Sequence, residues 1–245
     1  MYKKKILVTG SSRGIGFAIA KQLSKNKRNI VYLNGRFKKS LEKAKKVIEN
    51  CEIVFGDVNN ESQLKRIEKK IKKLDILICN VGNGKSVKTG KERKKDWEKS
   101  FNENFYSTVN VIKVFEKKLI NSRGVIICIS SICGIEHISG APTTYSVSKA
   151  ALNAFVRSYS KFLGSKGVRL NAIAPGNILS KGSSWEKKLK KNKKKIIQFI
   201  KNEVSLNTFG STSDVSNLIE FLIDEKSKFI NGSIFVVDGG QIKSF

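Results

Sequence analysis

The fold of this chain is decided by Ile6-Leu7-Val8-Thr9-Gly10-Ser11-Ser12-Arg13-Gly14-Ile15-Gly16, which runs directly into Phe17-Ala18-Ile19-Ala20-Lys21-Gln22-Leu23. The opening apolar run predicts a short buried strand, and the second stretch carries apolar residues at helical spacing. A glycine-rich turn of the form G-x-x-x-G-x-G therefore joins a strand to the start of a helix. Glycine permits a tight turn and close backbone approach, and the free N–H groups and positive dipole of the helix N-terminus favour a pyrophosphate.

Strands and helices alternate along the rest of the chain. Further strands are predicted near residues 30–34, 52–55, 75–79, 124–129, 168–172 and 233–237, and helices near 40–49, 61–73, 94–118, 145–163 and 213–223. Such alternation requires a parallel sheet covered by helices on both faces. We therefore predict a single α/β domain over residues 1–245, a doubly wound Rossmann-like fold with no linker or second domain.

The composition is that of a soluble globular domain. The chain has 245 residues, 40% hydrophobic and 9% aromatic, which is enough for one full core. It contains no apolar run near the length of a membrane span and no signal-like segment, so a cytoplasmic protein without a membrane partner is expected. The four cysteines have no CxxC spacing and predict buried free thiols. His137 is the single histidine, so no metal site is expected.

The net charge of +28 raises the question of nucleic-acid binding. The basic residues are mostly lysines, spread over nearly every predicted helix, whereas base readout and stacking favour arginine. We therefore expect solvated lysine faces and no specific nucleic-acid partner, with low-specificity polyanion binding at low salt.

A second group of residues predicts chemistry at the carboxyl ends of the strands, where ligands of such sheets bind. Tyr145 and Lys149 are one helical turn apart, and an ammonium at that distance is expected to lower the phenol pKa from ~10. Ser131 follows the fifth strand and could donate to an oxygen that becomes negative. With Asp57 and Asn80 at other strand ends, this predicts a site that moves a proton on or off an alcohol or carbonyl.

The ordered set of motifs resembles the short-chain dehydrogenase/reductase family over essentially the whole chain. The matching elements are Thr9-Gly10-x-x-x-Gly14-Ile15-Gly16, Asp57-Val58, Asn80-Val81-Gly82, Asn104, Ser131, Tyr145-x-x-x-Lys149, Pro175-Gly176-Asn177-Ile178 and Val237-Asp238-Gly239-Gly240. The resemblance implies a seven-stranded parallel sheet, hydride transfer between a nicotinamide and a carbonyl or secondary alcohol, and a homotetramer or homodimer formed through the helices of Asn104 and Tyr145.

The resemblance also implies a role for each site residue. Tyr145 would be the general acid in reduction and the base in oxidation, Lys149 would lower its pKa and hold the nicotinamide ribose, and Ser131 would bind the substrate oxygen. Asn104 would support a water that links Lys149 to solvent. The cofactor-binding residues would be Gly10, Ser12, Arg13, Gly14, Ile15, Gly16, Arg36, Asp57, Val58, Asn80, Gly82, Tyr145, Lys149, Pro175, Gly176, Ile178 and Ser180.

The chain departs from the family pattern in three places. Cys79-Asn80-Val81-Gly82 stands where Asn-Asn-Ala-Gly is usual, and Ser180 stands where the family usually has threonine. The interval from serine to tyrosine is one residue longer than is common, through the loop of His137. Ser131 is preferred over its neighbour Ser130 because Ser-Ile-Cys-Gly fits the family's Ser-x-x-Gly.

The end of the second strand predicts the choice of nicotinamide. Gly35 occupies the place where NAD-preferring relatives carry Asp, and Arg36 follows it. Arg13, inside the glycine turn, would point toward the same region. Two guanidiniums without a carboxylate favour a 2′-phosphate, so NADP(H) is expected to be preferred, with NAD(H) possible.

The substrate is left open between alternatives. Residues 179–210 are expected to form a lid, with an amphipathic helix whose lysines are either a solvated face or an anion-attracting mouth. The polar stretch 82–90 would form the pocket rim. Reduction of a 3-oxoacyl thioester competes with action on a sugar or other polar alcohol in surface-polysaccharide metabolism, since Thr208 stands where acyl-carrier enzymes usually carry Arg. A non-catalytic nicotinamide-binding regulator is the distant alternative.

Overall fold

The computed structural model describes residues 2–243. Its strands are β1 (Lys4–Val8), β2 (Asn29–Gly35), β3 (Cys51–Phe55), β4 (Ile76–Cys79), β5 (Val125–Ile129), β6 (Arg169–Pro175), β7 (Ile178–Leu179), β8 (Gly210–Ser211) and β9 (Ile234–Val237). Its α-helices are α1 (Gly14–Ser24), α2 (Lys38–Lys45), α3 (Glu61–Lys70), α4 (Lys94–Phe101), α5 (Ser107–Ser122), α6 (Thr143–Gly164), α7 (Ser184–Lys191), α8 (Lys193–Glu203) and α9 (Thr212–Leu222).

The central sheet confirms the predicted fold class. Within the described residues it has seven strands, all parallel, in the order β3-β2-β1-β4-β5-β6-β9. Helices cover both faces, so the side chains of each inner strand alternate between two cores: Leu7 lies in one, and Ile6 and Val8 lie in the other. The direction of the strand order reverses between β1 and β4, which opens a crevice at their carboxyl ends.

Two helices differ from their predicted form. The region predicted as one helix from residue 94 is interrupted by a π-helical turn, Asn102–Tyr106, between α4 and α5. Residues 179–210, which we expected to form a lid with one amphipathic helix, contain two helices, because the Asn192 side chain accepts a hydrogen bond from Lys195 N at 3.0 Å and starts α8 anew. The two ends of this segment are joined, since β7 pairs with β8 in a separate two-stranded sheet.

The cysteines are free thiols in the part of the chain that the structure describes. Cys79 and Cys128 are buried side by side on β4 and β5, as predicted, whereas Cys51 and Cys133 are only half-buried. Among residues 2–243, no helix is both long and apolar enough to cross a membrane.

Candidate active site

The glycine turn between β1 and α1 is built to receive a dinucleotide. Gly10 and Gly14 have left-handed φ angles of 63° and 59°. A methyl group on Gly16 would lie 2.4 Å from Asn80 Nδ2 and 2.6 Å from the Gly10 carbonyl oxygen, so only glycine fits there. The N-cap residue Arg13 makes no side-chain cap within residues 2–243, which leaves the first N–H groups of α1 open to a pyrophosphate.

Asn80 braces this turn from the end of β4. Its Nδ2 donates to the carbonyl oxygens of Thr9 and Gly10 at 3.1 and 3.2 Å, and its backbone N donates to Thr9 Oγ1 at 2.9 Å. These bonds cross the crevice between β1 and β4. The described contacts of Asn80 are therefore those of a support for the glycine turn, whereas the resemblance implied only that Asn80 binds the cofactor.

Arg36 and Asp57 form an ion pair at the edge where the adenosine end of a dinucleotide would bind. Arg36 Nη1 lies 3.8 Å from Asp57 Oδ2, so a carboxylate that follows β3 faces the guanidinium although no carboxylate ends β2. The two meet because β2 and β3 are neighbours in register. The Arg36 side chain is 58% exposed, and such an open pair contributes little to stability. Gly35 lies on the same edge, where an added methyl would be 3.7 Å from Ser12 Oγ.

Other predicted cofactor residues lie in three places. Val58 is buried in the core, so its side chain does not face the crevice. Ser180 lies across from the glycine turn, with its Oγ 3.8 Å from the position of a methyl group on Gly14. The segment of Pro175, Gly176 and Ile178 continues from β6 into β7, and Gly176 packs against Asp238.

The structure brings together Ser131, Tyr145, Lys149 and Asn104, which sequence reasoning selected as catalytic. Lys149 is 3% exposed, and its Nζ donates to the Ile129 carbonyl at 2.7 Å. A methyl on Gly82 would lie 3.1 Å from Asn104 Oδ1 and 3.3 Å from Lys149 Nζ, so these two polar groups face the same glycine. Ser131 starts a short 3₁₀ turn, and its Oγ accepts from Cys133 N at 3.2 Å.

Two features that position these groups had not been identified from the sequence. The π-helical turn holds Asn104, whose side chain exchanges hydrogen bonds with the Asn83 backbone at 2.8 and 3.1 Å and donates to Ser100 O at 3.0 Å. Gly134, at the end of the 3₁₀ turn, packs so closely on α6 that a methyl would lie 2.6 Å from the Lys149 carbonyl carbon. This contact sets the spacing between the Ser131 turn and α6. In the sequence, this close contact was indicated only by the glycine of the Ser-x-x-Gly pattern.

The electrostatics of the pair differ from the prediction. Burial raises the pKa of Tyr145 to about 12, against an opposing hydrogen bond from Ser131. Burial lowers the pKa of Lys149 to about 8, although the nearby Cys128 and Cys133 act to raise it. The net direction for the phenol pKa is opposite to the predicted one, because burial outweighs any lowering by the Lys149 ammonium, which is bonded to Ile129 O and lies 6.0 Å from the ring centroid of Tyr145. At neutral pH the tyrosine is a protonated acid beside a charged lysine.

A doubly wound parallel sheet, a glycine turn at its switch point and a half-buried tyrosine beside a buried lysine define a dinucleotide-binding oxidoreductase. The family model described as Enoyl-(Acyl carrier protein) reductase matches residues 10–241. The chain belongs to the short-chain dehydrogenase/reductase family. It is therefore an NAD(P)-dependent oxidoreductase that acts on CH–OH or carbonyl groups.

Individual relatives show how far the similarity extends. The 3-oxoacyl-[acyl-carrier-protein] reductase FabG of Rickettsia felis is 32% identical over 98% of this chain and 97% of its own length. L-sorbose reductase from Gluconobacter frateurii, solved with NADPH and L-sorbose, superposes with a TM-score of 0.91 at 25% identity, covering 100% of this chain and 98% of that one. YwfH, an NADPH-dependent reductase of bacilysin biosynthesis, has a TM-score of 0.89 at 25% identity, covering 99% and 100%.

Proposed function

We propose that this protein is an NADPH-dependent carbonyl reductase whose substrate is a 3-oxoacyl thioester. The observation that carries the proposal is the convergence of Ser131, Tyr145, Lys149 and Asn104 beside a glycine turn shaped for a dinucleotide. The 32% identity to a 3-oxoacyl-[acyl-carrier-protein] reductase over 98% of the chain supports the substrate class. The test is turnover of acetoacetyl thioesters with NADPH, followed as oxidation of the cofactor.

The chain's own groups divide the work of reduction. A bound nicotinamide would supply the hydride. The Ser131 hydroxyl binds the substrate carbonyl oxygen and donates to it as negative charge develops. Tyr145 gives its phenol proton to that oxygen, and its raised pKa keeps the proton available at neutral pH. Lys149, held by Ile129 O, keeps a positive charge close to the phenol and holds the nicotinamide ribose.

We expect Arg36→Ala to weaken NADPH binding by about 10–100-fold, because a charge-assisted hydrogen bond to the 2′-phosphate contributes roughly 1.5–3 kcal/mol. The open ion pair with Asp57 allows Arg36 to turn to a phosphate at little cost. NADH binding should change by less than about twofold, since NADH has no such phosphate. Fluorescence titration with both cofactors measures this, with the exposed Arg66→Ala on α3 as the control. Equal weakening of both cofactors would contradict the NADP preference.

A second candidate, a reductase of a keto-sugar or other polar carbonyl, is favoured by a specific observation. The similarity to L-sorbose reductase spans the whole chain, and the rim residues Asn83, Ser86 and Thr89 are polar. Thr208 in place of the usual arginine points the same way. Parallel assays with acetoacetyl thioesters and with L-sorbose decide between the two candidates.

The lysines of the lid provide a sharper test of the thioester candidate. Residues 179–210 carry nine lysines against two glutamates, and Lys193, Lys194 and Lys195 occupy the first turn of α8, where they add to the positive end of the helix dipole. Changing these three lysines to Gln should raise KM for a thioester on its acidic carrier protein by about tenfold at low salt. Each exposed charge is expected to contribute ~0.2–1 kcal/mol to the attraction of the carrier protein.

KM for a small acetoacetyl thioester should not change, because that substrate carries no acidic protein surface. Gln at Lys69, Lys70 and Lys72, an exposed cluster at the far end of α3, is the matched control. An equal rise in KM for both substrates would show that the lid lysines act on folding or chemistry and not on carrier attraction.

We also propose that the chain forms a homodimer or homotetramer through α5 and α6. A row of aromatic rings runs from the π-helical turn before α5 along α6, with centroids of Phe105–Phe155, Phe155–Tyr159 and Tyr159–Phe162 at 6.1, 5.0 and 5.3 Å. Phe162 is 45% exposed, and the small residues Ala150 and Ala154 on α6 are exposed as well. Sedimentation should give twice or four times the 27.4 kDa chain mass, and a monomer would contradict the proposal.

A further inference from the structure

We propose that residues 82–90, the rim loop, are a clamp that positions Tyr145 for proton transfer, with Ser86 and Thr89 as its positioning residues. The inference rests on the proposed function, because it assumes that Tyr145 delivers the proton. The rim loop joins β4 to α4 without helix or strand, and Ser86 and Thr89 are exposed on it. Such a segment holds a fixed shape only where specific contacts fix it.

The first contact ties the start of the rim loop to the π-helical turn. Asn83 N donates to Asn104 Oδ1 at 2.8 Å, and Asn104 Nδ2 returns a bond to Asn83 O at 3.1 Å. The Asn83 side chain donates to Glu103 Oε2 at 2.9 Å. Because Asn104 is fully buried, this end of the loop is fixed to the interior of the site.

Two further contacts tie the rim loop to the first turn of α6, which carries Tyr145. Thr144 Oγ1 donates to Ser86 Oγ at 2.7 Å, and Thr143 Oγ1 donates to Thr89 Oγ1 at 2.9 Å. The N-cap of α6 is Pro142, which makes no side-chain cap within the described chain. The threonine hydroxyls at the helix start are thus engaged with the rim loop.

Between these attachments the rim loop lies against the reacting end of Tyr145. A methyl group on Gly84 would be 3.8 Å from Cζ and 3.9 Å from both Cε atoms, which is ordinary contact distance. Because glycine lacks this methyl, the Gly84 backbone lies further from the ring than these distances. It faces the hydroxyl-bearing end of the phenol, with fixed points on either side along the chain. In the proposed clamp, this segment would limit movement of the phenol relative to the rest of the site.

Positioning of this kind has a large effect on rate, because a general acid displaced by about 1 Å can cost ~10²-fold. The hydrogen bond between the hydroxyls of Ser86 and Thr144 involves no residue of the glycine turn. Releasing the clamp should therefore change proton transfer and leave dinucleotide binding intact.

The experiment is a double-mutant cycle on Ser86→Ala and Thr144→Val, the second of which keeps the volume of the fully buried Thr144. We expect each single variant to lower kcat about 10-fold, with KM and the Kd of NADPH changed less than about twofold. The double variant should be no slower than the slower single variant, because both remove the same contact. Ser86→Thr, which keeps a hydroxyl, should restore the rate.

Two further measurements separate positioning from a general structural effect. In the Tyr145→Phe background, Ser86→Ala should have no further effect on the residual rate. Phenylalanine has no hydroxyl proton to transfer, so its position no longer matters to this step. Hydrogen exchange of the rim-loop amides should become faster in both single variants. The control is Ser213→Ala, which breaks a comparable exposed pair, Ser211 Oγ to Ser213 Oγ at 2.6 Å, and should change neither quantity.

The outcomes distinguish the inference from the proposed function. If the wild-type protein turns over carbonyls normally and Ser86→Ala leaves kcat unchanged, the clamp proposal is wrong and the proposed function stands. The same conclusion follows if the losses of the two single variants add up in the double variant. Absence of wild-type turnover on every carbonyl tested would overturn the proposed function, and the clamp with it.

Discussion

Tyr145→Phe should lower kcat for carbonyl reduction by about 10³-fold, within the ~10²–10⁴-fold that general acids contribute. The change removes the phenol oxygen and keeps the ring that Gly84 faces. Steady-state rates with an acetoacetyl thioester measure the loss. The Kd of NADPH should stay within about twofold, because the glycine turn is untouched. Retained binding with lost turnover supports the enzyme, whereas a wild-type protein that binds NADPH and reduces no carbonyl supports the regulator.

The pH profile of the wild-type enzyme adds a check on the same site. Tyr145, with its pKa raised to about 12, stays protonated across the neutral range and can act as an acid throughout it. Lys149 has its pKa lowered to about 8 and loses its charge as the pH rises through that value. The kcat/KM for reduction should therefore fall on the alkaline side from about pH 8, as Lys149 and not Tyr145 deprotonates. An alkaline limb that does not begin until pH 10 or above would contradict this assignment.

The fold could be predicted from local sequence because each element carries its own signal. The run Ile6-Leu7-Val8 is apolar without alternation, which is typical of a strand covered on both faces, and the structure places these residues in two cores. Helix interruptions carried no comparable signal. The π-helical turn at Asn102–Tyr106 depends on how Asn104 bonds to a distant loop, and the break at Asn192 depends on one capping side chain.

The sequence was enough to predict which residues form the candidate site. It was not enough to predict the pKa values of those residues. Tyr145 and Lys149 follow from helical spacing, and Ser131 from its place after a strand. Their pKa values depend on burial by elements far apart in the chain, so spacing alone gave the wrong direction for the phenol. The pairing of Arg36 with Asp57 likewise follows from two strands meeting side by side. The same limit applies to the rim loop, whose polar residues were visible and whose partners were not.

Gly16→Ala should weaken dinucleotide binding by about 100-fold or more, because the turn has no room for a side chain. The added methyl would meet Asn80 Nδ2 at 2.4 Å and the Gly10 carbonyl oxygen at 2.6 Å. The amide of Asn80 could turn away only by breaking its bonds to Thr9 and Gly10, and the carbonyl belongs to the turn itself. Either movement misaligns the N–H groups at the start of α1. Losing two charge-assisted bonds of roughly 1.5–3 kcal/mol each weakens binding by about 100-fold or more.

The same substitution should lower stability by about 1–3 kcal/mol through overpacking, which is roughly 2–10 °C in Tm for a domain of this size. Gly35→Ala is the matched control, because it lies on the same edge and its methyl would find Leu41 at an ordinary 3.5 Å. Calorimetric titration with NADPH and a thermal melt separate the two effects. If Gly16→Ala lost stability and still bound NADPH as tightly as Gly35→Ala does, the glycine would serve packing between β1, β4 and α1, and the dinucleotide would not depend on the geometry of this turn.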